Sequence, residues 1–207
     1  VVKMPDTRET VRHKEHILVN FPRHVIKKIN GTRWNPITDE PIENISEYCA
    51  LIRRLVNTDP SRVKKAIDIL KANPKVIVFY NFEYEMELLR KACEEEGIAY
   101  SEYNGSKHDE LPEGDHWVYF VNYGAWNCTT TDTMLFYSLS YSYRTMEQAE
   151  GRIDRRNTPF KDLQYYYLVS RSDLDGRILK ALQNKQNFNE REWRTNASIR
   201  AGFSKPA

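Results

Sequence analysis

From residue 75 onward, short apolar segments of the chain alternate with segments that carry the periodicity of an amphipathic helix. Continuous apolar runs are typical of strands that are buried on both faces, and strands that are joined by helices pair in parallel. The alternation therefore predicts an α/β fold in which helices cover both faces of a mostly parallel sheet. The strands are predicted at residues 76–80, 98–103, 117–121, 134–137 and 165–169.

The chain is long enough to form one substantial core, since it has 207 residues of which 40% are hydrophobic. The domain proper is predicted at residues 75–185. Residues 1–74 are predicted to supply an N-terminal strand and helices that lead into it. Residues 186–207 form a weakly basic tail, interpreted either as disordered or as a docked segment that touches nucleic acid or another domain.

Within the N-terminal part, a short strand is predicted at residues 16–21. A loop follows, because turn-forming residues such as Gly31 and Pro36 cluster there. Two helices come next, and the second has Asp59 as its N-cap and Pro60 at its first position.

Charge and cysteine content exclude several classes of protein. The net charge of +2 excludes a strongly basic nucleic-acid binder but leaves room for a local basic patch. Cys49, Cys93 and Cys128 are widely spaced, which argues against a disulfide framework and against a zinc site. The sequence has neither a long apolar run nor a signal-peptide core. We therefore expect a soluble protein of the reducing cytoplasm, without a metal site formed by the chain itself.

The segment QAEGRIDRR, in a helix predicted over residues 144–156, gives the strongest functional signal. Gln148, Arg152 and Arg155 have spacings of four and three, which would put them on one face of that helix. Gly151 lies beside this face, where the missing side chain lets a ligand approach the backbone. Two guanidinium groups next to an open backbone suit a polyphosphate, although a solvated basic face is the alternative.

Together with its surroundings, this segment resembles the sixth motif, Q-x-x-G-R-x-x-R, of superfamily 2 helicases and DNA translocases. AWNCTTTDTM at residues 125–134 resembles the fifth motif, and VIVFYNF at residues 76–82 resembles the fourth. YNGS at residues 103–106 resembles the glycine-containing turn that follows. The resemblance covers roughly residues 75–185 and is greatest to Swi/Snf-type translocases, in particular to compact helicases of the phage type.

The resemblance implies a RecA-like domain that lacks its own P-loop. None of the eight glycines belongs to a G-x-x-x-x-G-K-[ST] loop. Asp39 and Glu40 lie between prolines and do not end an apolar strand, so they are a poor match to the Mg²⁺-binding motif. The implied protein is the C-terminal half of an ATP-dependent helicase or translocase. ATP and Mg²⁺ would be bound mainly by an absent N-terminal RecA-like domain, so the chain alone is predicted to be inactive.

The resemblance also implies roles for single residues and a partner. Arg152 and Arg155 are expected to act as arginine fingers on the ATP of the other domain, and Gln148 to orient by hydrogen bonding. Asn127, Asp132 and Gly151 are expected to contact the nucleotide, although Asn127 and Asp132 also suit a simple turn. The expected partner is DNA, with RNA as the alternative. Contacts to its phosphate backbone are expected at strand ends, from Asn81, Asn104, Gly105, Ser106, Thr129, Thr130 and Thr131.

Two other interpretations stay open. The chain could be a non-catalytic nucleic-acid-binding or protein-interaction module on a RecA-like fold, or half of a motor that moves along duplex without separating strands. The tyrosines could stack on bases, but we interpret them as sheet-packing residues. They are Tyr137, Tyr141, Tyr143, Tyr165, Tyr166 and Tyr167.

Overall fold

The computed structural model describes residues 9–122 and 126–193 of the chain, with side chains as far as Arg191. Its strands are β1 (Val11–Val19), β2 (Trp34–Asn35), β3 (Glu40–Pro41), β4 (Lys75–Phe79), β5 (Tyr100–Tyr103), β6 (Trp117–Val121), β7 (Thr133–Phe136) and β8 (Asp162–Ser170). Its helices are α1 (Arg23–Thr32), α2 (Ile45–Asn57), α3 (Pro60–Ala72), α4 (Glu83–Glu95), α5 (Tyr143–Glu150), α6 (Asp173–Gln183) and α7 (Glu190–Trp193).

A parallel sheet of six strands forms the centre of the described structure, in the order β1-β8-β7-β4-β6-β5. Each neighbouring pair of these strands runs parallel. β6 and β7 are buried along their whole length, and β4 is buried except at Lys75. β2 and β3 form a separate antiparallel hairpin. The predicted α/β fold with a parallel sheet is therefore confirmed.

Helices cover both faces of the sheet, because the side chains of each strand alternate between its two sides. In β4, Ile77 and Phe79 belong to one buried cluster, whereas Val76 and Val78 belong to the other. The first cluster includes residues of α2, α5 and α6, and the second includes residues of α3 and α4. Burial on two faces explains why the strands read as continuous apolar runs. The tyrosines that are buried in these clusters, as expected for packing residues, are Tyr137, Tyr165 and Tyr167.

Residues before β4 belong to the same layers. β1 pairs with β8 along its whole length and forms one edge of the sheet. α1 replaces much of the predicted loop, because Ile29 and the partly buried Ile26 pack against the core. Gly31 did not prevent this helix, since it lies next to the last helical residue. α3 begins as predicted, with the Asp59 side chain accepting a hydrogen bond from the Ser61 N–H.

A buried arginine connects the ends of two strands to two helices. Arg62 of α3 is fully buried, and its Nη1 donates to the carbonyl oxygens of Tyr137 at 2.8 Å and Leu168 at 3.1 Å. Its Nη2 forms an ion pair with Asp175 of α6 at 2.7 Å. These bonds satisfy carbonyl groups at the ends of β7 and β8 and fix the position of that edge of the sheet.

The first part of the tail packs on the domain. Phe188 is buried, and its N–H donates to the carbonyl oxygen of Tyr141 at 2.8 Å. The prediction for the rest of the tail, residues 194–207, lies outside the described residues. Among the helices that the structure describes, none has the length and apolar character needed to cross a membrane.

Candidate functional site

The predicted site residues lie at two opposite edges of the sheet. Since the six strands are parallel, residues that follow strands share one edge, here the carboxyl edge, and residues that precede strands share the other, the amino edge. The residues at the carboxyl edge are Asn81, Asn104, Gly105 and Ser106. The residues at the amino edge are Asn127, Thr129, Thr130, Thr131, Asp132, Gly151, Arg152 and Arg155.

Thr129, Thr130 and Thr131 are not where the sequence placed them. They were expected beside the carboxyl ends of strands, but the Thr131 hydroxyl donates to the carbonyl oxygen of Lys75, the first residue of β4, at 2.6 Å. Residues 126–132, which precede β7, contain no helix. The threonines therefore lie just before the start of β7, at the amino edge.

The helix that carries Gln148 is also shorter than predicted. α5 ends at Glu150, and a turn over residues 151–153 replaces the helix predicted as far as residue 156. Gln148 is exposed on α5, whereas Arg152 and Arg155 follow the helix, so the expectation of one continuous helical face is wrong. Ile153 follows the helix in this turn and is completely buried.

The segments that resemble the fifth and sixth motifs meet at Arg152. Its Nη1 lies 3.5 Å from Oδ1 of Asn127, and its carbonyl oxygen accepts a hydrogen bond from the Cys128 N–H at 3.0 Å. Arg152 is half-buried, and Arg155 is exposed. No described residue forms an ion pair with Arg155, so both guanidinium groups remain available to an anion from outside the described chain.

Asp154, between the two arginines, is held by the strand at the far edge of the sheet. Its Oδ2 pairs with Nε of Arg12 at 2.7 Å, and its Oδ1 accepts a hydrogen bond from the Thr10 hydroxyl at 2.6 Å. Burial alone would raise the pKa of Asp154, but the hydrogen bonds from Thr10 and Arg12 lower it below its ordinary value. We call Thr10, Arg12 and Asp154 the clasp.

Glu150 is fixed in a similar way at the end of α5. This buried carboxylate pairs with Lys14 of β1 at 2.7 Å and accepts a hydrogen bond from the Tyr167 hydroxyl at 2.5 Å. The Tyr165 hydroxyl donates to the Glu150 carbonyl oxygen at 2.7 Å. Both acidic residues next to the arginines are therefore neutralised by cations of β1, which leaves the positive charge of Arg152 and Arg155 uncompensated. The spacing of residues in the sequence does not predict that Arg12 and Lys14 are the partners of these two acidic residues.

Gly151 has a backbone conformation that any residue can adopt, with φ −68° and ψ −13°. A Cβ atom at this position would meet only the carbonyl oxygens of Gln148 and Glu147, both at an ordinary 3.5 Å. The described part of the chain therefore does not require glycine here. The open space next to Arg152 fits the close approach of a ligand.

At the carboxyl edge, Asn81 is tied to its own domain. Its side-chain amide donates to the hydroxyl oxygen of Ser138 at 2.8 Å and to the Ser138 carbonyl oxygen at 3.1 Å. Its backbone N–H donates to Oε1 of Glu85 at 2.8 Å. Glu85 is completely buried, and this burial raises the pKa of its carboxyl group.

Asn104 shapes a turn at the same edge. It is buried, and its Oδ1 accepts hydrogen bonds from the backbone N–H groups of Ser106 and Lys107, each at 2.9 Å. Its amide donates to Glu102. The side chain is thus used within the turn, which presents Gly105 and Ser106 to solvent.

The remaining predicted residues have local partners. Asp132 is half-buried at the start of β7 and accepts a hydrogen bond from the Thr133 hydroxyl at 2.9 Å. Asp39 lies in the β2–β3 hairpin, where it accepts a hydrogen bond from the Trp34 indole at 2.9 Å. Within residues 9–122 and 126–191, no cluster of three His, Cys, Asp or Glu side chains could hold a metal ion.

The chain is similar in structure to parts of two ATPases. The C-terminal part of the Fun30 ATPase domain matches with a TM-score of 0.62 and 11% identity, covering 93% of this chain and 92% of the other. The Sulfolobus solfataricus SWI2/SNF2 ATPase core in complex with dsDNA matches with a TM-score of 0.58 and 16% identity. That match covers 97% of this chain but 47% of the other, so the chain spans about half the length of the core.

No protein-family model matches the sequence, and no curated protein matches it. At the identities of the two structures, the similarity establishes the fold alone. The fold is RecA-like, with a parallel sheet between two layers of helices.

Proposed function

We propose that this chain is the C-terminal RecA-like half of an ATP-dependent DNA translocase or helicase of superfamily 2. The observation that carries the proposal is the segment of residues 151–155 at the amino edge, which we call the arginine turn because it carries Arg152 and Arg155. There, β1 neutralises the two neighbouring acidic residues, and Arg152 and Arg155 keep their charge. The fold of two SWI2/SNF2-type ATPase structures supports the same assignment.

The residues at this edge fit the phosphates of ATP. Two guanidinium groups form a donor set for a polyanion, and the glycine beside them leaves room for it, since its own N–H is bonded to the Glu147 carbonyl oxygen at 3.0 Å. The sequence contains no P-loop that would cradle the phosphates. In the complete motor, a second domain with a P-loop would hold ATP and Mg²⁺. Arg152 and Arg155 would then place positive charge against the γ-phosphate as charge develops there, which is the role of arginine fingers. Gln148, on the exposed side of α5, would hydrogen-bond to the phosphate or to the facing domain.

The carboxyl edge is proposed to contact the DNA backbone. One of the structural neighbours is a SWI2/SNF2 ATPase core in complex with dsDNA, which favours DNA as the partner. The turn shaped by Asn104 exposes Gly105 and Ser106, and a backbone N–H such as that of Gly105 suits a phosphate oxygen. β6 ends at this edge and Asn127 precedes β7 at the other edge, so the sequence between them would link the proposed DNA contacts to the arginine turn.

ATP hydrolysis tests the proposal in two steps. The chain alone should hydrolyse ATP no faster than a buffer control, because it has no phosphate cradle. When a P-loop domain is supplied, either from adjoining sequence or as a separate protein, hydrolysis should appear and be stimulated by DNA. Turnover by the purified chain alone would refute the division of the site between two domains.

Arginine variants test the role of the turn in the complete motor. Arg152→Ala or Arg155→Ala should reduce turnover by on the order of 10³-fold, and Arg→Lys should not restore it, because an ammonium group lacks the bidentate fork. Arg144→Ala is the matched control, since Arg144 is exposed on α5, the helix that precedes Arg152 and Arg155. If the three alanine variants behave alike, the turn is a solvated surface, and a non-catalytic binding module becomes the better assignment.

A further inference from the structure

The segment around α1 is the most uniformly basic part of the described chain. No acidic residue occurs between Asn20 and Thr38. α1 itself carries cationic or titratable side chains, and all of them are exposed. They are Arg23, His24, Lys27 and Lys28. This concentration contrasts with the net charge of only +2 for the whole chain.

These side chains share one side of the helix. Arg23 and Lys27 are four residues apart, as are His24 and Lys28, so the two pairs lie next to each other on the solvent face. The opposite face of α1 carries Ile29, which is buried in the core. We call the four exposed side chains the basic face of α1.

The basic face opposes the stability of its own helix. Arg23 lies in the first turn, where the helix dipole disfavours positive charge, and no acidic residue or side-chain cap compensates it there. Like charges four residues apart repel each other. The side chains of His24, Lys27 and Lys28 form no ion pair with a described residue. An anionic partner would remove this unfavourable arrangement.

The basic face continues towards the proposed DNA contacts. Arg23 and His24 line a groove of about 570 Å³ together with Asn20 and Arg171. Asn20 follows β1, and Arg171 follows β8, so the groove lies at the carboxyl edge of the sheet. Three strand spacings of about 4.8 Å separate β1 from β4, which precedes Asn81. A DNA backbone along this edge can therefore reach both places.

We infer that the basic face of α1, with Arg171, is an additional contact surface for the phosphate backbone of duplex DNA. This inference rests on the proposed function, since it assumes that the carboxyl edge faces DNA. It adds contacts outside the residues that resemble helicase motifs. Because these side chains would contact phosphates and not base edges, they would bind DNA of every sequence with similar affinity.

The test compares duplex binding by two variants of equal charge. Lys27→Gln/Lys28→Gln removes two cations from the basic face. Lys64→Gln/Lys91→Gln is the control, since these lysines are exposed on α3 and α4, which cover the opposite face of the sheet. Each phosphate contact contributes about −0.9 to the slope of log affinity against log salt for duplex DNA. The first variant should therefore lower the magnitude of the slope by up to about 1.8 on every sequence, and the control should leave it unchanged.

Three results would overturn the inference. Equal changes in both variants would show an effect of net charge alone. An unchanged slope in the first variant, with DNA-stimulated ATP hydrolysis of the motor intact, would reject the surface and leave the proposed function standing. Absence of duplex binding by the wild-type chain, together with RNA binding that depends on Lys27 and Lys28, would assign the surface to RNA and remove DNA from the proposed function.

Discussion

The guanidinium Nη1 of Arg152 lies 3.5 Å from Oδ1 of Asn127. The backbone N–H of Cys128, the residue after Asn127, donates a hydrogen bond to the Arg152 carbonyl oxygen. One arginine thus joins the segment before β7 to the end of α5 through both its side chain and its backbone. An amide oxygen can orient a guanidinium group without neutralising it. The charge of Arg152 therefore stays available to a phosphate.

Asn127→Asp should convert this contact into an ion pair. The carboxylate would hold Arg152 and compete with phosphate oxygens, since hydrogen bonds between charged groups contribute about 1.5–3 kcal/mol. We expect ATP turnover of the complete motor to fall by roughly 10- to 100-fold, with an unchanged or slightly higher Tm. Asn127→Ser, which keeps a neutral oxygen, should lose less activity. Full turnover in Asn127→Asp would mean that Arg152 does not act on the nucleotide.

Breaking the clasp should reduce activity without removing an arginine of the turn. In Arg12→Gln or Asp154→Asn, the turn loses its link to β1, and Arg152 and Arg155 become less well oriented. Because arginine fingers act mainly in the transition state, kcat and kcat/KM should fall together while the KM for ATP changes little. The two substitutions should be non-additive, since they remove the same interaction.

The exposed pair Arg177 and Asp173, spaced i,i+4 on α6 at 3.1 Å, is the control for the clasp. The same substitutions there should leave turnover unchanged, as expected for a surface ion pair. Additive losses from Arg12→Gln and Asp154→Asn would show that the two residues affect the motor independently.

Gly151→Ala should separate stability from activity. The backbone at Gly151 accepts alanine, and the new methyl group would reduce the conformational entropy of the unfolded chain, so stability should rise by about 0.4–1 kcal/mol. Turnover should nevertheless fall, because the methyl group occupies the space next to Arg152. Gly176→Ala in α6, where a Cβ meets nothing within 4 Å, should stabilise the chain and preserve turnover. Equal activity in both variants would exclude a ligand close to Gly151.

Glu85 should give the chain a component of stability that is lost as pH rises. Burial raises the pKa of Glu85 above its ordinary value of 4.5, so the unfolded chain releases this proton first. Its contribution is therefore fully present below pH 4.5 and decreases as pH rises through the elevated pKa. Glu85→Gln should gain free energy of unfolding relative to wild type between pH 5 and pH 8.

The control for this measurement is Glu87→Gln, because Glu87 is exposed on the same helix. Its free energy of unfolding should follow that of wild type over the same pH range. A constant difference between wild type and Glu85→Gln from pH 5 to pH 8 would contradict a raised pKa at Glu85.

Sequence patterns predicted most of the sheet and most of its covering helices, although the first strand was predicted at residues 16–21 and lies at Val11–Val19. β6 has the predicted bounds, and β4, β7 and β8 lie where continuous apolar runs predict them. The prediction works because a strand that is buried on both faces has apolar residues at successive positions. The role of Asp59 as an N-cap was also predicted correctly, since a capping side chain bonds to a backbone N–H only two or three residues further along the chain. The loop assigned around Gly31 was wrong, because packing of Ile29 outweighed the turn-forming residues nearby.

The arrangement of the candidate site depends on contacts between distant parts of the chain. The spacing of Gln148, Arg152 and Arg155 predicted a single helical face, but the helix ends at Glu150, before both arginines, and the Arg152 carbonyl oxygen is bonded to Cys128 instead. The sequence also could not reveal that Asp154 is neutralised by Arg12, which lies 142 residues earlier in the chain. The periodicity of a sequence indicates which side of a local element is buried. Which residue pairs with a charged side chain, and at which edge of the sheet a loop lies, depend on how distant elements pack together.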